Sequence, residues 1–256
     1  MTQPIVHIFP CLQDNYGLLI HDPATGETAT IDTPDAGTIL AAAEAKGWKI
    51  TQIWNTHWHQ DHAGGNAEIV AATGAKVVGP QEVDRIATVP DRVLKEGDTV
   101  KLGSVTANIL ETPGHTLGHI VYHIPEAKIA FVGDTLFALG CGRLFEGTPG
   151  QMWSSMSKLR ALPDDTVVYC AHEYTASNAA FALSVDAENA DLITYADDVK
   201  AKRAKGLATV PTTIGREKAA NPFMRANDPK LQAFVGHAGD EVATFAEVRE
   251  RKNAFK

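Results

Sequence analysis

The chain has 256 residues, of which 44% are apolar and 21% are charged, so its composition is that of an ordinary globular protein with one large or two modest domains. Its formal net charge is −8. Because an acidic surface repels phosphate groups, this charge argues against a nucleic-acid-binding protein and against a protein that binds anionic membranes.

The first two thirds of the chain alternate short β-branched runs with turns and a few helices, which is typical of a mixed α/β domain. The predicted strands are Ile5–Phe9, Gly17–His21, Thr28–Ile31, Ile50–Trp54, Lys76–Val78, Val100–Leu102, Val105–Leu110, Ile120–His123, Ile129–Val132 and Val167–Tyr169. The predicted helices are Asp35–Ala45, Asn66–Ala72 and Gln151–Leu162. Asp35 suits the start of the first helix, and Gly47 suits its end.

The pattern changes after His172, where Ala, Asp and Lys recur with helical spacing and β-branched clusters almost disappear. We predict helices over Ser177–Ser184, Asp191–Lys205, Lys230–Phe234 and Asp240–Arg251, with a Pro- and Gly-bearing connection over 206–229. The expected organisation is therefore a mixed α/β catalytic domain over residues 1–173 and a helical domain over residues 174–256.

One short segment concentrates the chemistry. Residues 56–62, which read THWHQDH, follow an apolar strand directly and carry the donors His57, His59, Asp61 and His62. Burying so many polar groups together is costly unless each of them has a partner. A mixed His/Asp set without cysteine favours a hydrolytic metal site with open positions over a closed structural one. Gly64 and Gly65 permit the tight turn that brings the donors together.

Three further candidates follow predicted strands, where protein scaffolds commonly display catalytic groups. They are His115, Asp134 and His172. Each of them alone would more often be an ordinary surface or core residue. We expect His119 to form a hydrogen bond beside the site. The remaining histidines are interpreted as surface or core residues without a role in the site; they are His7, His21, His123 and His237.

The cysteine content and the hydropathy of the chain indicate where in the cell the protein is expected. Cys11, Cys141 and Cys170 are odd in number and widely spaced, so neither a disulfide framework nor a thiolate zinc site is expected. No apolar run approaches the roughly 18–20 residues of a membrane span, and the first twenty residues lack a basic start. We expect a cytoplasmic monomer that binds neither membranes nor nucleic acid.

The ordered motifs THWHQDH, TPGH, VGD and AHEY resemble those of the metallo-β-lactamase superfamily. Within it, the stretches CLQDNYG, GCGRLFEGTP, CAHEYTASN, NPFMR and RERKNAFK resemble the glyoxalase II (hydroxyacylglutathione hydrolase) family over essentially the whole chain. The resemblance implies an αββα sandwich followed by an all-helical domain that binds glutathione. It also implies hydrolysis of S-D-lactoylglutathione and related 2-hydroxyacylglutathiones to glutathione and the hydroxy acid, the second step of methylglyoxal detoxification.

The resemblance implies two divalent metal ions per chain, with zinc expected and iron or manganese left open by the ligand types. It assigns the first ion to His57, His59 and His115, and the second to Asp61, His62 and His172, with Asp134 bridging both. Asp61 and Asp134 would be the catalytic residues. The two ions would share a water, lower its pKa and so supply the hydroxide that attacks the thioester.

Substrate contacts are expected from residues near these motifs and near the C-terminus. Arg249 and Lys252 are three positions apart on a predicted helix and share a face, which suits a glutathione carboxylate. Their alternative role is a solvated basic end that complements the helix dipole. Family members often carry Tyr where Phe145 stands. The further candidates are Arg143, Phe145 and Tyr174.

Three other functions remain open from the sequence. A glutathione persulfide dioxygenase shares the fold and the His-rich segment but uses a single iron. A nucleic-acid-processing member of the superfamily conflicts with the net charge of −8. A non-catalytic metal-binding module would not need seven filled ligand positions.

Overall fold

The computed structural model describes residues 3–86 and 88–255 of the chain. By packing, the chain divides into two units, each built from two pieces of sequence. The first unit comprises Met1–Glu111 and Gly118–Gly133, and the second comprises Thr112–Leu117 and Asp134–Lys256. The predicted domain boundary at residue 174 is a different division and stays a prediction.

The first unit opens with a six-stranded sheet in which the strands follow chain order. Its strands are β1 (Ile5–Cys11), β2 (Asn15–His21), β3 (Glu27–Ile31), β4 (Lys49–Trp54), β5 (Lys76–Gly79) and β6 (Arg92–Val93). The pairs β1–β2 and β2–β3 are antiparallel, whereas β3 to β6 run parallel. The parallel strands need crossover connections, and the helices provide them.

Those helices are α1 (Ala36–Ala45), the single turn α2 (Gln60–Ala63) and α3 (Asn66–Thr73). Helix α1 begins at Asp35, whose side chain accepts a hydrogen bond from Thr38 N at 2.8 Å, as its position in the sequence predicts. Ile39 of α1 and Ile69 of α3 pack in one buried cluster with Ile53 of β4. These apolar contacts fix the two helices on one face of the sheet.

A second sheet follows as an antiparallel meander of β7 (Thr99–Leu102), β8 (Val105–Glu111), β9 (Ile120–Ile124) and β10 (Ile129–Gly133). The two sheets of the first unit pack face to face. Trp54 of β4 stacks on Tyr122 of β9 with ring centroids 5.1 Å apart, and the buried Tyr122 hydroxyl donates to Asn55 O at 2.7 Å. The first unit is therefore a helix layer on two stacked sheets.

The second unit is mainly helical. Its strands are the hairpin pair β11 (Leu136–Phe137) and β12 (Gly140–Cys141), together with the pair β13 (Val167–Cys170) and β14 (Thr212–Thr213). Its helices are α4 (Pro149–Arg160), α5 (Thr175–Val185), α6 (Ala190–Arg203), α7 (Ile214–Ala220), α8 (Pro229–Val235) and α9 (Glu241–Ala254). Within residues 3–86 and 88–255, no helix is long and apolar enough to cross a membrane.

The expected Pro- and Gly-bearing connection over 206–229 is wrong in its central part. It contains β14, α7 and a 3₁₀ helix, Pro222–Met224. The buried positions of α7 are Ile214, Glu217 and Ala220, so a charged residue interrupts the apolar helical spacing that would have indicated the helix. Thr213 caps it by accepting from Arg216 N at 3.2 Å, and Glu217 on its inner face is fully buried.

Candidate metal centre

The first unit carries four of the seven predicted metal ligands, in the segment that leaves β4 and enters α2. The start of this segment is fixed by Asp32, which follows β3. Its carboxylate accepts hydrogen bonds from Thr56 N at 2.7 Å and from Thr56 Oγ1 at 2.8 Å. The chain turns into α2 at Gln60, so the alternation of an extended strand ends there, as convergence of the donors requires.

Asp32 also orients two of the predicted imidazoles. His62 Nδ1 lies 2.9 Å from Asp32 Oδ2, and His57 Nδ1 lies 3.0 Å from the Thr56 hydroxyl that donates to the same carboxylate. Both Nδ1 atoms therefore act as donors, which leaves each Nε2 with a lone pair for a metal. Ligand atoms of Asp32, His57 and His62 all lie within 4.8 Å of one another, and all three residues are buried.

His59 and Asp61 lie at the more open side of this donor set. His59 Nδ1 is 3.0 Å from His57 Nε2, and both residues precede α2. The Asp61 side chain is 43% exposed, and its Oδ2 lies 3.6 Å from His62 Nε2. Asn15 Nδ2 donates to Asp61 Oδ2 at 3.1 Å and to Asp61 O at 3.2 Å, so the carboxylate has a fixed orientation.

The second unit carries the other three predicted ligands around the Asp134 carboxylate. Asp134 Oδ2 lies 3.4 Å from His115 Nε2, and Asp134 Oδ1 lies 3.4 Å from His172 Nε2. His115 Nδ1 is 2.8 Å from Arg143 O and therefore carries the proton. Each oxygen of this buried carboxylate thus faces a different imidazole, as a carboxylate that serves two neighbouring ions would.

Steric crowding within the first unit explains why the VGD motif has a glycine at position 133. Gly133 has a φ of +47°, and a Cβ there would lie 2.6 Å from both His119 Nε2 and Thr56 Oγ1. No side chain fits at such distances, so only glycine permits the backbone to pass there. His119 itself lies beside the donor set, with its ring 5.0 Å from that of His57.

The donor group in each unit has the spacing that a divalent metal ion requires. Donor pairs at 3.0–3.4 Å match the roughly 3.3 Å between adjacent ligands of a tetrahedral ion with bonds of about 2.0–2.1 Å. The donor groups found among the described residues contain no cysteine, and burial raises the pKa of the Cys141 thiol to about 11 and that of the Cys170 thiol to about 12. The donors are imidazole and carboxylate, which suit zinc, iron or manganese.

Three of the predicted substrate residues border the second unit's ligands. Tyr174 stacks on His172 with ring centroids 4.7 Å apart and planes 4° from parallel. Phe145, which is 61% exposed, approaches His115 edge-on at 5.3 Å, and the Arg143 guanidinium lies 5.8 Å from the Phe145 centroid. These side chains form an amphipathic rim beside the predicted ligands His115 and His172.

Arg249 and Lys252 both lie on α9, as predicted. Arg249 is only 8% exposed and donates to Cys141 O at 3.1 Å, so it is not part of a solvated basic face. Lys252 Nζ donates to Ser177 O at 3.2 Å and to Ser177 Oγ at 3.1 Å. Burial, followed by repulsion from Arg249, lowers the pKa of Lys252 to about 8. Their contact with glutathione stays a prediction.

Asp32 and Asn15 are contributors that the sequence reasoning missed. Asp32 follows an apolar strand directly, which is the same signal that singled out Asp134. Asn15 belongs to the CLQDNYG stretch, but nothing in the sequence pairs it with Asp61, 46 positions away.

Comparison with known proteins gives two family matches that together cover nearly the whole chain. Residues 12–172 match the metallo-beta-lactamase superfamily, and residues 173–255 match the hydroxyacylglutathione hydrolase C-terminus. The chain is 60% identical to the hydroxyacylglutathione hydrolase of Maricaulis maris (strain MCS10), with 100% of both chains covered. It is 58% identical to the hydroxyacylglutathione hydrolase of Erythrobacter litoralis (strain HTCC2594), over 98% of this chain and 99% of the relative.

Solved structures show the same fold at lower identity. ETHE1 from Myxococcus xanthus superposes with a TM-score of 0.68 at 26% identity, over 96% of this chain and 90% of that chain. A protein solved in a di-iron-bound form gives a TM-score of 0.62 at 25% identity, over 86% of this chain and 99% of that one. With the two family matches, these structures confirm the predicted fold class, a metallo-β-lactamase α/β domain followed by a helical C-terminal domain.

Proposed function

Since the chain belongs to the hydroxyacylglutathione hydrolase family of metallo-β-lactamase-fold hydrolases, we propose that it hydrolyses S-D-lactoylglutathione to glutathione and D-lactate. The chain is a thioester hydrolase, and the observation that carries this assignment is 60% identity over the full length of a hydroxyacylglutathione hydrolase. The placement of Asp134, with one oxygen toward His115 and the other toward His172, supports the same chemistry.

The metal assignment extends this proposal. His57, His59 and His115 would hold one divalent ion, Asp61, His62 and His172 would hold the other, and Asp134 would contribute to both. Zinc is the ion that we propose, because a His/Asp set with open positions is typical of hydrolytic zinc. When bound, such ions polarise the thioester carbonyl and lower the pKa of a water molecule toward neutrality.

The chain's own residues direct the attacking water, and none of its buried thiols is suited to attack the thioester in place of that water. Asp61 is the more exposed carboxylate among the proposed ligands and accepts a hydrogen bond from the attacking water. Asn15 orients the Asp61 carboxylate by donating a hydrogen bond to it. A thiolate leaves readily, so no covalent protein intermediate is needed. The buried thiols of Cys141 and Cys170 have raised pKa values and are poor nucleophiles.

Glutathione recognition falls to the second unit in this proposal. Lys252 and Arg249 attract a carboxylate of the tripeptide, and Tyr174, Phe145 and Arg143 contact the parts nearer the thioester. The adjacent positive charges of Arg249 and Lys252 support this role, because an anion would offset their mutual repulsion, which adds to burial in lowering the Lys252 pKa. We further propose that the protein acts as a cytoplasmic monomer without nucleic-acid partners.

The persulfide dioxygenase alternative is not favoured. The similarity to ETHE1 is 26% identity, compared with 60% to a hydroxyacylglutathione hydrolase, and residues 173–255 match the C-terminal domain of the latter family. The test is incubation of the purified protein with S-D-lactoylglutathione, measuring thiol and D-lactate. We expect equal amounts of both products and no oxygen uptake with glutathione persulfide. Oxygen consumption without thioester hydrolysis would overturn the assignment.

A further inference from the structure

The chain forms a tight hairpin immediately after Asp134, here called the Asp134 hairpin and comprising residues 134–142. Its two ends meet at the metal ligand itself. A Cβ on Gly142 would lie 1.9 Å from Asp134 O and 3.1 Å from His115 Nδ1, and Gly142 N donates to Thr135 O at 3.3 Å. A shift of the hairpin therefore moves the backbone that carries the Asp134 carboxylate.

The tip of the hairpin is held by side chains in addition to the backbone pairing of β11 with β12. Leu139 has a φ of +57°, a left-handed conformation that L-residues adopt only when the surroundings impose it. Asn221 Nδ2 donates to Phe137 O at 3.2 Å and to Gly140 O at 2.9 Å, and Asn178 Nδ2 donates to Ala138 O at 3.1 Å. These bonds satisfy buried main-chain carbonyls that would otherwise be costly.

Besides the apolar packing of Ala138 and Leu139 in a buried cluster, a further hold on the tip comes from Glu217 of α7, which is 0% exposed. Its Oε2 accepts from Leu139 N at 2.8 Å and from Asn221 Nδ2 at 2.9 Å. Its Oε1 accepts from the Tyr195 hydroxyl at 3.0 Å and from the Thr212 hydroxyl at 2.7 Å. One oxygen therefore serves the hairpin, and the other serves the helical scaffold.

A carboxyl group is an expensive choice for such a position. Burial raises the pKa of Glu217, and the four hydrogen bonds act against that effect. An apolar side chain of similar size would avoid the desolvation cost of a buried acid. It could not accept from Leu139 N, so the strained turn would lose that hydrogen bond.

We propose that Glu217 is a positioning residue that acts through the Asp134 hairpin to hold the Asp134 carboxylate in its metal-binding position. The inference rests on the proposed metal centre. Partners that orient metal ligands typically contribute about 10- to 100-fold to metal affinity. Because Asp134 would serve both ions, loosening the hairpin should weaken the binding of both.

The two oxygens of Glu217 allow matched variants. Glu217→Leu removes the hydrogen bonds of both carboxylate oxygens, to the hairpin and to the helical scaffold. Glu217→Gln keeps an oxygen for Leu139 N, and its amide can donate to the hydroxyl oxygens of Tyr195 and Thr212, which rotate to accept. Thr212→Val removes the hydrogen bonds that the Thr212 hydroxyl makes with Glu217 Oε1 and with Tyr195, neither of which involves the hairpin, and it is the control for lost stability.

The measurement is metal affinity, by competition with a chromophoric chelator, together with the unfolding free energy of each metal-free protein. We expect Glu217→Leu to lower the affinity by about 10-fold or more, as for other ligand-orienting residues, and Glu217→Gln to restore it. Thr212→Val should lose stability but keep wild-type affinity. If Glu217→Leu does not fold, Asn178→Ala, which frees Ala138 O at the same tip, should lower affinity relative to Thr212→Val.

Two outcomes overturn the inference. The first is wild-type metal affinity in Glu217→Leu, or in Asn178→Ala if Glu217→Leu does not fold. The second is a loss of metal affinity in Thr212→Val equal to that in the variant used. The wild-type protein separates this inference from the proposed function. A wild type that binds no metal and hydrolyses no thioester refutes the proposed function. A metal-binding, active wild type whose affinity is insensitive to Glu217→Leu refutes only the role of Glu217.

Discussion

His62 Nδ1 lies 2.9 Å from Asp32 Oδ2, and the two side chains are 1% and 5% exposed. The same carboxylate receives the Thr56 hydroxyl, which in turn lies 3.0 Å from His57 Nδ1. Asp32 therefore sets the tautomer of two imidazoles at once and leaves their Nε2 atoms available as ligands. A residue that need not bind metal itself thus determines how two predicted ligands are presented.

Replacing Asp32 with alanine should therefore weaken metal binding more than it weakens the fold. We expect the metal affinity of Asp32→Ala to fall by about 10- to 100-fold, because both histidines lose the partner that orients them. Chelator competition measures this change. Asp22→Ala is the matched control, since Asp22 is also buried in the first unit but its carboxylate holds Ser104 N and Ala24 N in a turn. Equal losses in the two variants would contradict the role of Asp32.

Asp134 should matter more than any single histidine, because a carboxylate between two imidazoles can serve both ions and offset their mutual repulsion. We expect Asp134→Ala to lose bound metal and nearly all hydrolysis, as measured by elemental analysis and by thiol release. The expectation fails if the variant keeps two ions and more than about a tenth of the wild-type kcat, which is a barrier change below about 1.4 kcal/mol.

Lys252 should contribute to substrate affinity rather than to the chemical step. Lys252→Met removes a charge-assisted contact worth roughly 1.5–3 kcal/mol, so KM should rise by about 10- to 100-fold while kcat stays within a few-fold. A small thioester without the glutathione carboxylates should react at the wild-type rate. Arg251→Met, on the same helix but paired with Glu247, is the control and should leave KM unchanged. An unchanged KM in Lys252→Met would remove Lys252 from the glutathione site.

The pH dependence of KM offers an independent check on Lys252. Burial lowers its pKa to about 8, so the side chain is charged below that pH and loses its proton above it. If a glutathione carboxylate binds the charged form, as proposed, KM should rise as the pH increases through about 8. This rise should be absent in Lys252→Met. A KM that is flat across this range in the wild type would contradict the assignment.

The sequence could predict the fold class and most of the elements because the strand and helix signals of the first 172 residues are strong and local. Four of the candidate metal ligands could be singled out for a similar reason, since His57, His59, Asp61 and His62 lie together in one short motif. The residues that hold the site were not accessible. Asp32 acts on a histidine 30 positions away, and Glu217 acts on Leu139 78 positions away. Such pairs arise from tertiary packing and leave no periodic pattern in one sequence.

Sequence reasoning also fails where a short helix buries a charged residue, because the apolar helical spacing is then interrupted. Helix α7 buries Glu217 in this way and supplies it to the hairpin tip from a segment expected to be a connection. Arg249 was placed on the correct helix, but its burial against Cys141 O depends on the hairpin and could not be inferred from helix spacing.

The central claim, a centre that needs two metal ions for thioester hydrolysis, is tested most directly by adding metal stepwise to the metal-free protein. Bound metal and the rate of S-D-lactoylglutathione hydrolysis are measured on the same samples. We predict that activity reaches its maximum only when two ions are bound per chain, and that Asp61→Ala lowers this stoichiometry. Full thioesterase activity at one ion per chain, with Asp61→Ala leaving the stoichiometry unchanged, would contradict the account.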